Sequence, residues 1–343
     1  MLTRVIPFAI VTLSNQKGEY EMAHELEIIN GEAQMAYRES QGLPWHGLGV
    51  PVGDDMTPEQ MMDVAGLNWR VQKSPTFAEI EIDGEMKRLA TGQEALIRES
   101  DGRVLTQVGK GWNPVQNEEA FDFFTDFVSK GDMIMDTAGS LKDGQIVWAL
   151  ADIRDGFSLF NGDEVNGYLL FSNPHMYGKS IDIRFVATRV VCNNTLTVAL
   201  GENSQAGVRV NHRSQFDPEK VKEILGLSHN KMEEFKEAAE FLGSRQYVQK
   251  DLEKYFGIVF GESTQENKKL SRTAEKAVGI VETQPGAEFA KGSYWQLLNA
   301  VTYMCDHELN RTNDTRMTSS WYGLNRNRKI KALNTAIEMA EAA

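Results

Sequence analysis

Residues 140–153 read Ser-Leu-Lys-Asp-Gly-Gln-Ile-Val-Trp-Ala-Leu-Ala-Asp-Ile, with Asp143-Gly144 between two apolar runs. An Asp-Gly pair in that setting is a hairpin turn, because both residues accept the positive φ that a tight turn between twisted strands demands. Past the turn, Val147, Ala149 and Ala151 fall on one face at the strand period of two.

The same pattern repeats outward. Asp83-Gly84 separates 77–82 from 87–91, and Ser100-Asp101-Gly102 separates 95–98 from 104–108. Residues 69–72, 168–172, 180–188 and 195–200 also read as strands, with a short addition at 208–211. Asn161-Gly162-Asp163 marks a further turn. Residues 68–213 are therefore expected to form one antiparallel or mixed sheet. A helix over 117–130 should pack on it through Ala120, Phe123, Phe124 and Phe127, which share a face at helical spacing.

Before the strands, residues 22–50 look polar and loop-like, ending in a Trp45 flanked by Pro44, Gly47 and Gly49. Thr57-Pro58-Glu59-Gln60 opens a helix with a capping box, and Met61, Met62, Val64, Ala65 and Leu67 supply its apolar side. The character changes at Asp217-Pro218: 217–255, 294–307 and 325–342 read as helices, with a polar loop over 261–271. The expectation is an α+β fold, with a strand-rich core over 22–216 and a helical region over 217–343.

The 343 residues carry 36 Lys and Arg against 49 Asp and Glu, a net charge of −13. A protein coated in positive potential is excluded, while a local basic site is not. Cys192 and Cys305 lie far apart, which is no disulfide framework and suits a reducing compartment. Val5 to Leu13 is apolar but holds Pro7, lacks a small-x-small cleavage site and is too short to span a bilayer. Lys17-Gly18-Glu19 can be encoded by a purine-rich ribosome-binding sequence, so translation is expected to start at Met22. Residues 1–21 would then be a mis-assigned leader, the alternative being a disordered arm.

Familiar catalytic signatures do not occur. Gly109-Lys110-Gly111 follows a strand, but Pro114 stands between it and the next helix, so a phosphate loop is poorly supported. Cys305-Asp306-His307-Glu308 has metal-ligand residue types, yet adjacent helical side chains diverge by about 100° and cannot converge on one ion. No metal, no cofactor and no catalytic residue is assigned.

Positive charge concentrates in two islands. Residues 166–215 hold Lys179, Arg184, Arg189, Arg209 and Arg213 against Asp182 and Glu202. On a strand, Asp182 and Arg184 point away from Ile181, Ile183 and Phe185, which would set guanidinium groups beside Asn193 and Asn194. Guanidinium forks suit phosphates and base edges. The second island holds Arg311, Arg316, Arg326, Arg328, Lys329 and Lys331 near Trp321 and Tyr322. Cations with interleaved aromatics can bind single-stranded nucleic acid, with Trp321 stacking on bases. The competing readings are that the arginines pair with surplus carboxylates, and that Trp321 and Tyr322 dock the last helix onto the core.

Several segments resemble the phage/plasmid-like family that carries the domain of unknown function nine-three-two. They are Trp45-His46-Gly47-Leu48-Gly49, Gly111-Trp112-Asn113-Pro114-Val115-Gln116-Asn117, Ala138-Gly139-Ser140 with Trp148-Ala149-Leu150, Arg189-Val190-Val191-Cys192-Asn193-Asn194-Thr195-Leu196 and Trp321-Tyr322-Gly323. The resemblance implies a role in the replication, recombination or defence evasion of a mobile element, and carries no catalytic residues with it. The expected function is a cytoplasmic nucleic-acid-binding accessory protein, with a homo-oligomer among the expected partners and no membrane, single-stranded DNA being favoured, similar to single-strand annealing proteins. Lys179, Arg184, Arg189, Asn193, Asn194, Arg209, Arg213, Trp321, Arg326 and Arg328 are its candidate contacts. The alternatives are an enzyme acting on nucleotides or DNA through Glu94, Asp182 or His175, and a protein-binding module that blocks a host factor with its acidic surface.

Overall fold

The computed structural model describes residues 26–44, 47–154, 156–189, 194–197, 207–227, 230–262, 270–309 and 316–343. The proposed leader, Met22, Trp45-His46 and Arg311 lie outside the described residues.

The fold is α+β. A hairpin of β1 (Ile28–Ile29) and β2 (Glu32–Ala33) leads into β3 (Met35–Arg38) and β4 (Val50–Val52), so the stretch read as loop contributes strands. They were missed because runs of two to four residues are too short to show a period. Next come α1 (Pro58–Val64), β5 (Val71–Ile82), β6 (Glu85–Arg98) and β7 (Val104–Gly109). These are followed by α2 (Asn117–Asp122), α3 (Thr125–Ser129), β8 (Ile134–Leu141), β9 (Ile146–Asp152), β10 (Phe157–Leu159), β11 (Asp163–Pro174), β12 (Ile181–Arg189), β13 (Asn194–Thr197) and β14 (Gly207–Val210). The main sheet runs β13-β12-β11-β9-β8-β3-β4, with β10 against β11 and β14 against β12. It is antiparallel except for the β3–β4 pair.

The strand region is not one sheet. β5, β6 and β7 form a separate three-stranded sheet, and the outer part of the β5–β6 hairpin is solvent-exposed, including Phe77, Ile80, Met86 and Leu89. Its turn is the expected one, with Asp83 at φ 55° and Gly84 at φ 78°. The turn between β8 and β9 takes positive φ at Lys142, Asp143 and Gly144.

Thr57 caps α1 with the full capping box, and Met61, Met62, Ala65 and Leu67 are buried, whereas Val64 is exposed. The helix expected over 117–130 breaks into α2 and α3 at Phe123-Phe124. Phe121, Phe123 and Phe124 are all buried. A straight helix would turn one of two adjacent rings away from the core. Here Phe124 N–H donates to the Phe121 carbonyl instead, a tighter turn that lets both rings point inward.

One face of the main sheet buries Ala149, Ala151, Leu169, Phe171, Ile183 and Phe185 against α1, α2 and the base of the small sheet. The other face buries Trp148, Tyr168, Leu170 and Val186 with Trp321 and Tyr322 packed on it. The helical region comprises α4 (Pro218–Leu227), α5 (Asn230–Ser244), α6 (Gln249–Phe260), α7 (Arg272–Ile280), α8 (Tyr294–Tyr303), α9 (Arg316–Tyr322) and α10 (Leu324–Glu341). It has its own core around Phe235, Tyr255, Phe256, Trp295 and Val301. No helix among the described residues is long and apolar enough to cross a membrane.

Candidate functional site

The strand alternation of β12 is as expected: Ile181, Ile183 and Phe185 face one core, and Asp182 and Arg184 face the other way. That other face, however, is not open. α9 lies over it, and Arg184 is only 3% exposed. Arg184 Nη1 donates to Asp182 Oδ2 at 3.0 Å, and Nη2 donates to the Trp321 carbonyl. Its guanidinium also lies 5.4 Å from the Tyr322 ring centre. Trp321 meets Trp148 edge-on at 5.1 Å between ring centres. Trp321 and Tyr322 therefore dock the C-terminal helices onto the sheet, and the base-stacking role expected of Trp321 is not what its position serves.

The expected continuous basic surface is absent among the described residues. Arg184 is a core ion pair. Arg213 is exposed in the turn after β14, its backbone N–H bonded to Asn211. Arg328 donates to Asn325 at 2.9 Å, since two helical steps from Arg326 turn it to another side of α10. Arg189 and Asn194 pair through their backbones at the end of β12 and β13. Their side chains, and Asn193 altogether, lie outside the described residues.

What the fold does bring together is a smaller set drawn from both islands. A cavity of about 280 Å³ opens at the end of the sheet, lined by Lys179, Asp182 and Arg209 from the first island and by Thr318 and Tyr322 from the second. Ser172 and Ser180 add hydroxyls to its wall. Arg209 Nε stands 3.7 Å from Asp182 Oδ2. Arg326, in the first turn of α10, feels Arg184 and Arg209 as like charges and Asp182 as its opposing one. Burial first, and then those two guanidiniums, push the Arg326 pKa down to about 10. Its Nε is buried without a hydrogen-bond partner. Two guanidiniums, of Arg184 and Arg209, thus share one carboxylate, and Lys179 at the rim is exposed. The sequence showed the two islands but not that they meet, because the meeting depends on α9 folding back across the sheet.

The residues named for an enzymatic reading sit otherwise. His175 is fully buried. Asn117 donates its amide to the Leu67 and Trp69 carbonyls, so its oxygen must accept from His175 Nε2, at 2.9 Å. Burial drives the His175 pKa down to about 3, which makes it a neutral packing group. Glu94 pairs with Lys73 at 2.6 Å. The side chains of the 305–308 stretch diverge, and the Cys305 thiol is buried in the core of the helical region. Asp306 holds Lys329 at 2.5 Å and accepts from Ser320, His307 rests on Tyr303, and Glu308 pairs with Lys276. No group of potential metal ligands occurs among the described residues.

The molecule is thus a strand-rich core with a helical cap, carrying a cation-rich pocket where the two meet. The chain belongs to the family defined by the domain of unknown function DUF932, whose model matches residues 104–332. That span runs from β7 into α10 and includes every residue described around the pocket. No curated protein and no solved structure matches the chain.

Proposed function

We propose that this protein is a nucleic-acid-binding accessory protein of phages or plasmids, acting on single-stranded DNA in the host cytoplasm. The observation that carries the reading is a cavity lined by Lys142, Lys179 and Arg209 against the single carboxylate of Asp182, which Arg184 and Arg209 already share. Surplus positive charge in a cavity is the arrangement that takes a phosphate. The pocket is compact, so the contact is with one phosphate and its neighbours rather than a long basic groove. Protein-binding through the acidic exterior is the second reading, favoured by the charge of −13 and by the scattering of Arg213 and Arg328.

Binding of single- and double-stranded oligonucleotides across a salt series separates them. Phosphate contact predicts a linear fall of log affinity with log salt, and tighter binding of the single strand. No binding of either form at low salt would leave the protein-binding reading in its place.

A further inference from the structure

We propose that the arm formed by the outer part of β5 and β6 pairs face to face with the same arm of a second copy of this chain, antiparallel about a two-fold axis. The inference is independent of the nucleic-acid reading and concerns a part of the chain that the pocket does not include.

The first argument is what the arm leaves in water. β7 pairs with β6 only from Gln93 to Ile97, so residues 77–90 form a ribbon of two strands alone. Every residue of that ribbon is exposed. A two-stranded ribbon with both faces in water is marginal at best, and apolar side chains gathered on an exposed face mark a contact site. The strand period and the register divide the ribbon into two unlike faces. One carries Phe77, Glu79 and Arg88. There Arg88 stands opposite Glu79, and its guanidinium lies 4.0 Å from the Phe77 ring centre, so this face answers its own charge and covers its own ring. The other face carries Ile80, Ile82 and Leu89 with Glu85 and Lys87, and no described residue covers it.

The second argument identifies the occupant. Across the ribbon Glu85 faces Ile82 and Lys87 faces Ile80, so neither charge meets its opposite there. Glu85 and Lys87 stand two residues apart on β6, and Ile80 and Ile82 two residues apart on β5. A two-fold axis running across the ribbon, level with the Glu81–Met86 pair, exchanges the members of both sets. It lays β6 over β6 of the second copy, with Glu85 against Lys87 and Lys87 against Glu85. The same axis sets Ile80 against Ile82 in both directions on β5. An interface between identical chains demands this self-complementarity, each residue meeting its counterpart and being met in return. Arms stacked in parallel would instead set Ile80 on Lys87 and Ile82 on Glu85. The face spans six residue pairs, about 20 Å. That is less than a permanent interface covers, so the pairing is reversible and depends on concentration.

The test reads the mass of the full-length protein by sedimentation velocity across a concentration series. It compares wild type with Glu85→Lys, with Lys87→Glu and with the double swap. Both side chains are exposed, so the swaps leave the fold of the monomer as it is. Wild type should pass from monomer to dimer as concentration rises. Each single swap puts like charges in contact at two points and should weaken the dimer at least about tenfold. An equimolar mixture of the two single variants should recover it, since one copy then offers two cations and the other two carboxylates. The double swap should dimerise as wild type does. A monomer at every concentration overturns the proposal and leaves the face to a partner of another kind. A dimer that neither single swap weakens overturns it by placing the contact elsewhere. A weakened dimer that mixing does not restore overturns the antiparallel pairing of Glu85 with Lys87.

Discussion

Two regions of the main sheet bury arginines, and they treat them oppositely. At one end Arg38 on β3 reaches Asp152 on β9 at 2.6 Å and Asp136 on β8 at 3.3 Å. Nearby, Arg98 donates to Glu27 at 2.7 Å and to Asp101 at 2.6 Å, and Ser140 donates to the other Glu27 oxygen at 2.9 Å. There the carboxylates equal or outnumber the guanidiniums and balance their charge, although Arg38 Nε is itself buried without a hydrogen-bond partner. At the other end the guanidiniums of Arg184 and Arg209 share Asp182 alone. Charge-balanced networks join strands; one of net positive charge is a place for an anion. In a chain of net charge −13, the local imbalance informs more than the total.

The largest expected effect lies in a charge-balanced network. Arg98→Ala removes the close cationic partner of Glu27, which is 2% exposed, and leaves it the Ser140 hydroxyl and Arg103 at 3.9 Å. It should cost roughly 3–5 kcal/mol by denaturant unfolding. A loss below about 1 kcal/mol would show that Glu27 does not depend on Arg98.

Proton linkage comes next. Burial first, and then Asp152, push Asp136 up to about 6 against the pull of Arg38. The folded state therefore holds this proton more tightly than the unfolded chain. Its contribution to stability is present below the ordinary carboxylate range and is lost as pH rises through about 6. His175 has the opposite sign. Its pKa is down at about 3, so its contribution is present above the ordinary value of 6.5 and is lost as pH falls toward 3. Asp136→Asn should flatten the loss of stability toward neutral pH, and His175→Gln should flatten the acid limb. Stability profiles unchanged by both substitutions would refute the assignments.

How much of this was legible beforehand depended on distance along the chain. The Asp-Gly turns and the capping box of α1 are set by neighbouring residues, and they were readable. The two faces of β12 were readable too, since alternation is local. What covers the Arg184 face was not, because Trp321 arrives from 137 positions further on. The α2–α3 break escaped because helical spacing over 117–130 says nothing of two adjacent rings needing the same core. The separate small sheet escaped because strand pattern does not reveal which strands pair.

Smaller effects sharpen the contrast. Arg326→Met, which removes an unpaired cation, should leave stability within about 1 kcal/mol of wild type or above it. Arg213→Ala and Arg328→Ala lie off the pocket and should each change stability by no more than about 0.5 kcal/mol. Neither should alter binding as a pocket residue does.

The central claim is that surplus positive charge at Asp182 contacts phosphate, and the salt dependence of single-stranded DNA binding in Arg209→Ala tests it most directly. Arg209 is exposed and its removal leaves the Arg184–Asp182 pair in place. The account predicts weaker binding across all sequences and a log–log salt slope shallower by about 1. An affinity and slope identical to wild type, or no binding by wild type at low salt, would contradict it.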